Sequence, residues 1–321
     1  VSLLHALLDD AARFGPEYGH DLASHLPMGL VALKALGADE ARLRRFVATE
    51  SAHLQPAPPP AAWPAGDAWP SRFGAVSAFA AYQDLFSQWL ADEGAADALV
   101  QVLPQLMPGC AAAAFHGVIR TAAALRAGHA GELAAGLAYW AARHQRLGAL
   151  PVADGAVADP LPLLQRLRAV PSDQPLIALR MASAAADGAL RRAIGRLTIG
   201  PQTLPRLARL AAQAYAGSGN FTALHMVTAS HAVRLLASQL DGEEAVHAAL
   251  RWFWQAWVTA LVSACLKPLP PAPLLAWPEI VRRALAQDDV HVIKLVDACR
   301  AEEAAHGGDD WQQAASRAVA G

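Results

Sequence analysis

Leu26-Pro27-Met28-Gly29-Leu30-Val31-Ala32-Leu33-Lys34-Ala35-Leu36-Gly37-Ala38-Asp39 is the stretch from which the fold class can be read. Leu26, Leu30, Leu33 and Leu36 recur three and four residues apart, which stacks them on one face of a 3.6-residue helix. Pro27 suits a first helical turn, where its missing N–H removes no intrahelical bond. Gly37 is a stop signal and Asp39 a cap for a second helix carrying Leu43, Phe46 and Val47 on its apolar face.

The same period extends outward along the chain. A break falls at Gln55-Pro56-Ala57-Pro58-Pro59-Pro60 and runs on to Trp63-Pro64 and Trp69-Pro70; repeated proline forbids helix, so residues 55–70 are expected to form an extended surface loop. Helical patterning resumes over 77–89 and 109–147, with Gly128 and Gly131 marking a turn between two long helices. Further helices are expected over 161–168, 176–194, 204–214, 222–240, 243–265, 278–286 and 290–305. Strand-like alternation is nearly absent, and any ribbon is expected inside the proline-rich loop. The expectation is one large all-α domain over residues 1–321.

Composition excludes several function classes. Hydrophobic residues make up 54% of the 321 and charged residues 17%, yet the most apolar stretch, Trp252 to Leu266, is too short to span a bilayer and stops at Lys267-Pro268. A net charge of −2, with no basic cluster interleaved with aromatics, argues against nucleic acid as a partner. Cys110, Cys265 and Cys299 are odd in number and scattered, which fits a reducing compartment and no disulfide framework. The first residues lack a basic region leading into an apolar core, so no secretion signal is expected and the location expected is cytoplasmic.

No dinucleotide turn, Walker loop, nucleophile elbow or zincin helix is present. What remains is histidine. Among twelve, His25, His116, His225, His231 and His291 lie within or against apolar helical runs, where a polar ring must find a partner. A cap or a core hydrogen bond is the ordinary explanation for each. His225 and His231, six positions apart, point about 120° from one another around a helix, so one site takes only one of them easily. Leu224 and Met226 beside His225 suggest a cavity wall, whereas Arg234 three positions after His231 suggests a more polar face. Lys294 is one of only three lysines and sits among Val292, Ile293, Leu295 and Val296, sharing a helix face with His291. Burial there disfavours its ammonium form. Trp252, Phe253, Trp254 and Trp257 read as core, and Glu302 with Glu303 as a solvated face.

Several segments, in order along the chain, resemble the questin oxidase-like family. They are Ser24-His25-Leu26-Pro27-Met28, Phe115-His116-Gly117-Val118-Ile119-Arg120, Leu137-Ala138-Tyr139-Trp140, Phe221-Thr222-Ala223-Leu224-His225 with His231, and Asp288-Asp289-Val290-His291-Val292-Ile293-Lys294. The resemblance implies an all-α oxidoreductase that oxidises an aromatic polyketide or quinone-like molecule with dioxygen. It also implies a non-haem iron, or another divalent metal, held by four histidines and a carboxylated lysine. On this chain the metal ligands so implied are His25, His116, His225, His291 and Lys294, with His231 an alternative ligand or a support behind them. Other family members are described as NADPH-dependent Baeyer–Villiger-type monooxygenases without metal, so NADPH is a second cofactor expectation. A non-catalytic helical protein that binds an apolar ligand is the reading from outside enzymology.

Overall fold

The computed structural model describes residues 2–320. The helices run, in chain order, α1 Leu3–Ala11, α2 Leu26–Leu36, α3 Glu40–Ser51, α4 Phe79–Glu93, α5 Ala95–Leu106, α6 His116–Ala127, α7 Ala130–Ala142 and α8 Leu161–Leu164. They continue as α9 Ile177–Ala184, α10 Gly188–Arg196, α11 Thr203–Ala216, α12 Phe221–Ala237, α13 Gly242–Ser263, α14 Trp277–Ala286, α15 Val290–His306 and α16 Asp310–Val319. Among the described residues the only sheet is a two-stranded antiparallel ribbon, β1 Glu17–Tyr18 with β2 Leu22–Ala23. It lies before α2 and not in the proline-rich loop, because Asp21 in the left-handed region turns the chain there. None of the helices is long and apolar enough to cross a membrane.

The signals at α2 and α3 act as their chemistry requires. Pro27 sits in the first turn of α2, and Gly37 ends the helix in the left-handed conformation while its N–H bonds back to Leu33 and Lys34. Asp39 then caps α3 through the backbone N–H of Arg42 at 2.7 Å. Elsewhere the structure departs from the periodicity. The single helix expected over 176–194 is two, α9 and α10, separated at Asp187, which caps the second. The helix expected from 109 begins only at His116. Helices α1, α5 and α16 lie outside the segments read from the periodicity.

Four helices make the frame of the molecule: α2 packs on α6, α6 on α12, α12 on α15, and α15 back on α2. Around them a continuous apolar core takes in Leu30, Val118, Met226 and Ile293, and reaches Trp140 on α7 and Trp254 and Trp257 on α13. Glycine sets the closest approach. A methyl group on Gly117 of α6 would fall 2.8 Å from Trp140 Cβ of α7, and one on Gly136 of α7 would fall 2.9 Å from Thr121 Cα of α6. The same interface buries an ion pair, Arg120 Nε and Nη2 donating to the two Glu132 oxygens at 2.6 and 2.9 Å. Arg126 on α6 bridges in a like manner to Asp297 on α15, at 2.6 and 2.8 Å.

Candidate functional site

Each frame helix brings one histidine to the same place, and each brings it near its own N-terminus. His25 precedes the first residue of α2, His116 is the first residue of α6, His225 lies in the second turn of α12, and His291 is the second residue of α15. The rings form a closed circuit: His25 to His116 at 4.8 Å between centroids, His116 to His225 at 4.9 Å, His225 to His291 at 5.6 Å, and His291 to His25 at 4.5 Å. His25 has the N-cap position of α2 but makes no capping bond; its ring is committed to the cluster.

Three of the rings are oriented by bonds from Nδ1. His116 Nδ1 donates to the Ala113 carbonyl at 2.6 Å, His225 Nδ1 to the Phe221 carbonyl at 2.8 Å, and His291 Nδ1 to Asp289 Oδ1 at 3.1 Å. A neutral imidazole has one N–H, so spending it on Nδ1 leaves the Nε2 lone pair free. His116 Nε2 must then accept, and it does so from His25 Nε2–H at 2.7 Å. Outward Nδ1 bonds with free Nε2 atoms are the arrangement that supports metal-ligating histidines.

The loop ahead of α6 is held in an uncommon shape to achieve this. Ala113, Ala114 and Phe115 have φ of 45°, 56° and 70°, three successive non-glycine residues in the left-handed region. Each such residue costs roughly 1–2 kcal/mol. Surrounding packing imposes the shape: Trp140 Nε1 donates to the Gly109 carbonyl at 3.0 Å, Cys110 pairs with Gln145 in an isolated bridge, and Phe115 is fully buried. The outcome is a carbonyl, that of Ala113, aimed at His116 Nδ1. Alanine's helix propensity, which suggests helix through 111–114, is overridden here by tertiary contacts.

Lys294, one turn after His291 on α15, is buried, and its Nζ has no hydrogen-bond partner among the described residues. Burial lowers its pKa to about 7, against the opposing pull of Asp289 and Glu50. Burial also lowers all four imidazoles, His25 and His116 well below their ordinary value and His225 to about 3, with the charge on Lys294 adding to the effect. The cluster therefore stands as neutral nitrogen bases beside an amine that loses its proton easily.

The histidine rings form the floor of a cavity of about 310 Å³ whose walls include Ala114, Leu176, Ile177 and Phe221. Phe221 stacks edge-on against both His225 and His291, 4.7 Å from each. Lys294 does not line this cavity. It lines a smaller one of about 40 Å³ on the far side, together with His231.

His231 is apart from the ring of four. Its Nδ1 donates to Glu302 Oε1 at 2.7 Å, and Arg234 Nε donates to the same oxygen at 2.7 Å. This corrects the expected solvated face at Glu302, which is only 1% exposed and joins α15 to α12. Of the two candidates on α12, His225 packs against the rings of His116 and His291, and His231 is paired with Glu302 instead. Asp289, the Ala113 carbonyl and Phe221 were not singled out by sequence. Of these, Asp289 had a readable signal, a helix-capping type two residues before a histidine.

Among the described residues no three His, Cys, Asp or Glu side chains are spaced to hold one ion as they stand. Within the cluster the Nε2 atoms of His25 and His116 are 2.7 Å apart, at hydrogen-bond distance. Two ligands at right angles, each ~2.1 Å from a shared ion, would be about 3.0 Å apart. A separation of a few tenths of an ångström distinguishes the two arrangements, and the donor set, several neutral imidazole nitrogens with one partnerless amine, fits an ion of intermediate softness.

No curated protein matches the chain. A family model described as questin oxidase-like matches residues 22–299, a span that includes His25, His116, His225, His291 and Lys294. With most of its 321 residues under that model, the chain belongs to the questin oxidase-like family.

Proposed function

We propose that the protein is an oxygenase that holds a non-haem metal ion, iron by preference, through His25, His116, His225 and His291, and oxidises an aromatic, quinone-like polyketide with dioxygen. The family's description names an oxidase, and oxidoreductase chemistry is its coarser implication. The observation that carries the metal reading is the orientation of the rings. Three Nδ1 atoms are spent on Ala113, Phe221 and Asp289, and the fourth ring already points its Nε2 at His116.

Lys294 supplies the anionic oxygen donor in this reading. As a neutral amine its Nζ attacks the carbon of carbon dioxide; an N–C bond forms, one proton leaves to solvent, and a carbamate remains. An isolated carbamate would be costly in so buried a place, and a neighbouring cation compensates it. A bound ion would supply the redox centre that a closed-shell aromatic needs to react with dioxygen.

The protein's own part is positional. The apolar walls of the cavity accept a flat ring system and exclude water from the histidine floor, and Phe221 offers its ring at the edge of that floor. Elemental analysis of protein purified without chelator, paired with oxygen uptake on a panel of hydroxyanthraquinones with and without NADPH, tests the proposal. Bound iron with substrate-dependent uptake supports it. Uptake by metal-free protein that requires NADPH would replace it with the metal-independent alternative.

A further inference from the structure

The rim of the larger cavity carries two charged side chains, Asp21 and Arg180, and they are not equivalent. Asp21 is drawn away by Arg143, whose Nη2 donates to Asp21 Oδ1 at 2.7 Å. Arg180, on α9, has no carboxylate partner among the described residues. Its Nη1 donates to the carbonyls of Gln174 and Pro175, at 3.2 and 3.1 Å, which fastens the guanidinium over the segment that leads into the cavity wall at Leu176. Among the described residues its Nε and Nη2 make no hydrogen bond.

The rest of the lining offers no compensating anion. The walls are apolar, and the floor is four histidine rings, which carry no negative charge. Tyr18 at the rim keeps its proton, because burial and the nearby Glu50 both raise its pKa. A guanidinium with a free planar edge, facing an apolar space with no anion of its own, is suited to a carboxylate or phenolate oxygen.

We propose that Arg180 is a specificity-determining residue, and that the substrate is an aromatic molecule bearing an anionic oxygen, carboxylate or ionised phenol, at the edge held away from the histidine floor. This rests on the aromatic-substrate reading above and adds the charge of the substrate and its direction in the cavity. The lone guanidinium binds the anionic edge at the mouth, and the uncharged rings fill the space below it.

Equilibrium dialysis under anaerobic conditions at pH 7, which needs no turnover, tests it. The probes are anthraquinone-2-carboxylate and its methyl ester at that pH, with 2-hydroxyanthraquinone dialysed in addition at one pH below and one above the phenol's ionisation. The carboxylate is expected to bind the wild type about tenfold or more tighter than the ester, the effect of one charge-assisted hydrogen-bonded pair. Arg180→Met should erase that preference, bringing the carboxylate to the affinity of the ester, and Arg180→Lys should restore part of it. A preference for the ionised over the neutral phenol that is also lost in Arg180→Met would extend the partner to phenolates; its absence would restrict it to carboxylates. An unchanged carboxylate-to-ester ratio in Arg180→Met overturns the assignment and leaves the aromatic reading intact. Failure of the wild type to bind either the carboxylate or the ester overturns both.

Discussion

His25 and His116, 91 residues apart in the chain, meet nitrogen to nitrogen at 2.7 Å, and only one of them can be the donor. Because His116 gives its N–H to Ala113, the proton of the contact belongs to His25. The contact joins the starts of α2 and α6, and for a metal ion to take Nε2 of both rings His25 must move its proton from Nε2 to Nδ1, a change of tautomer that releases none to solvent. The proton expected to leave on metal uptake comes from Lys294, whose amine must be unprotonated to take up carbon dioxide, so uptake in the presence of carbon dioxide should release protons and weaken as pH falls below about 7. Proton release on titrating iron(II) or zinc into weakly buffered protein, followed with a pH indicator, measures it; uptake without proton release contradicts the assignment.

The metal-free fold should also depend on pH in a definite direction. Burial lowers His25, His116, His225 and His291, while in the unfolded chain each imidazole takes up a proton near pH 6.5. The unfolded state thus binds more protons, so the stability is fully present above about pH 6.5 and declines as pH falls toward the folded values, by ~1.4 kcal/mol per pH unit for each histidine. Lys294, lowered to about 7, adds a slope of the same sign above that value and none below it. Thermal melts in chelator should show Tm falling from pH 7 to pH 5, with a shallower fall in His225→Gln. A fall of equal steepness in that variant removes His225 from the account.

The left-handed run before α6 predicts a gain from glycine. Ala113 has φ 45° and lies only partly buried, so Ala113→Gly relieves strain while giving up little contact. The expected stabilisation is about 1 kcal/mol, reduced by the extra freedom glycine has when unfolded. Denaturant midpoints of the two proteins measure it, and a loss of stability would mean that Ala113 is not strained.

The α6–α7 interface predicts a non-additive pair. Glu132→Leu leaves the Arg120 guanidinium buried without its partner and should cost on the order of 3–5 kcal/mol, as should Arg120→Met. The double variant replaces both charges by apolar groups and should be more stable than either single one. Additive losses in the double-mutant cycle would show that the two side chains do not act as a pair.

The helical class was legible in the sequence, as were five histidines in apolar surroundings that include the four of the ring, because each depends on local pattern. Leu26 to Gly37 carries its own period, cap and stop, and His116 stands out as a polar ring in a run of small apolar residues. What was illegible depends on distant contacts. Nothing in Ala111 to Phe115 signals a left-handed turn, since Trp140, Gln145 and the core around Phe115 impose it. Glu302 beside Glu303 reads as surface until α12 lays His231 and Arg234 against it. The split of α9 from α10 had a local sign in Asp187, a capping residue inside an otherwise continuous pattern.

If four histidines and one lysine hold a metal ion, the metal content of the protein depends on each of them. Protein purified without chelator, and variants reloaded with iron(II) under carbon dioxide, would be measured by elemental analysis alongside circular dichroism to establish folding. Stoichiometric metal is expected in the wild type, with its loss in His116→Ala and His225→Ala, and its loss in Lys294→Met with the helical spectrum intact. Folded wild type that takes up no metal, or Lys294→Met and His116→Ala that retain full occupancy, would contradict it.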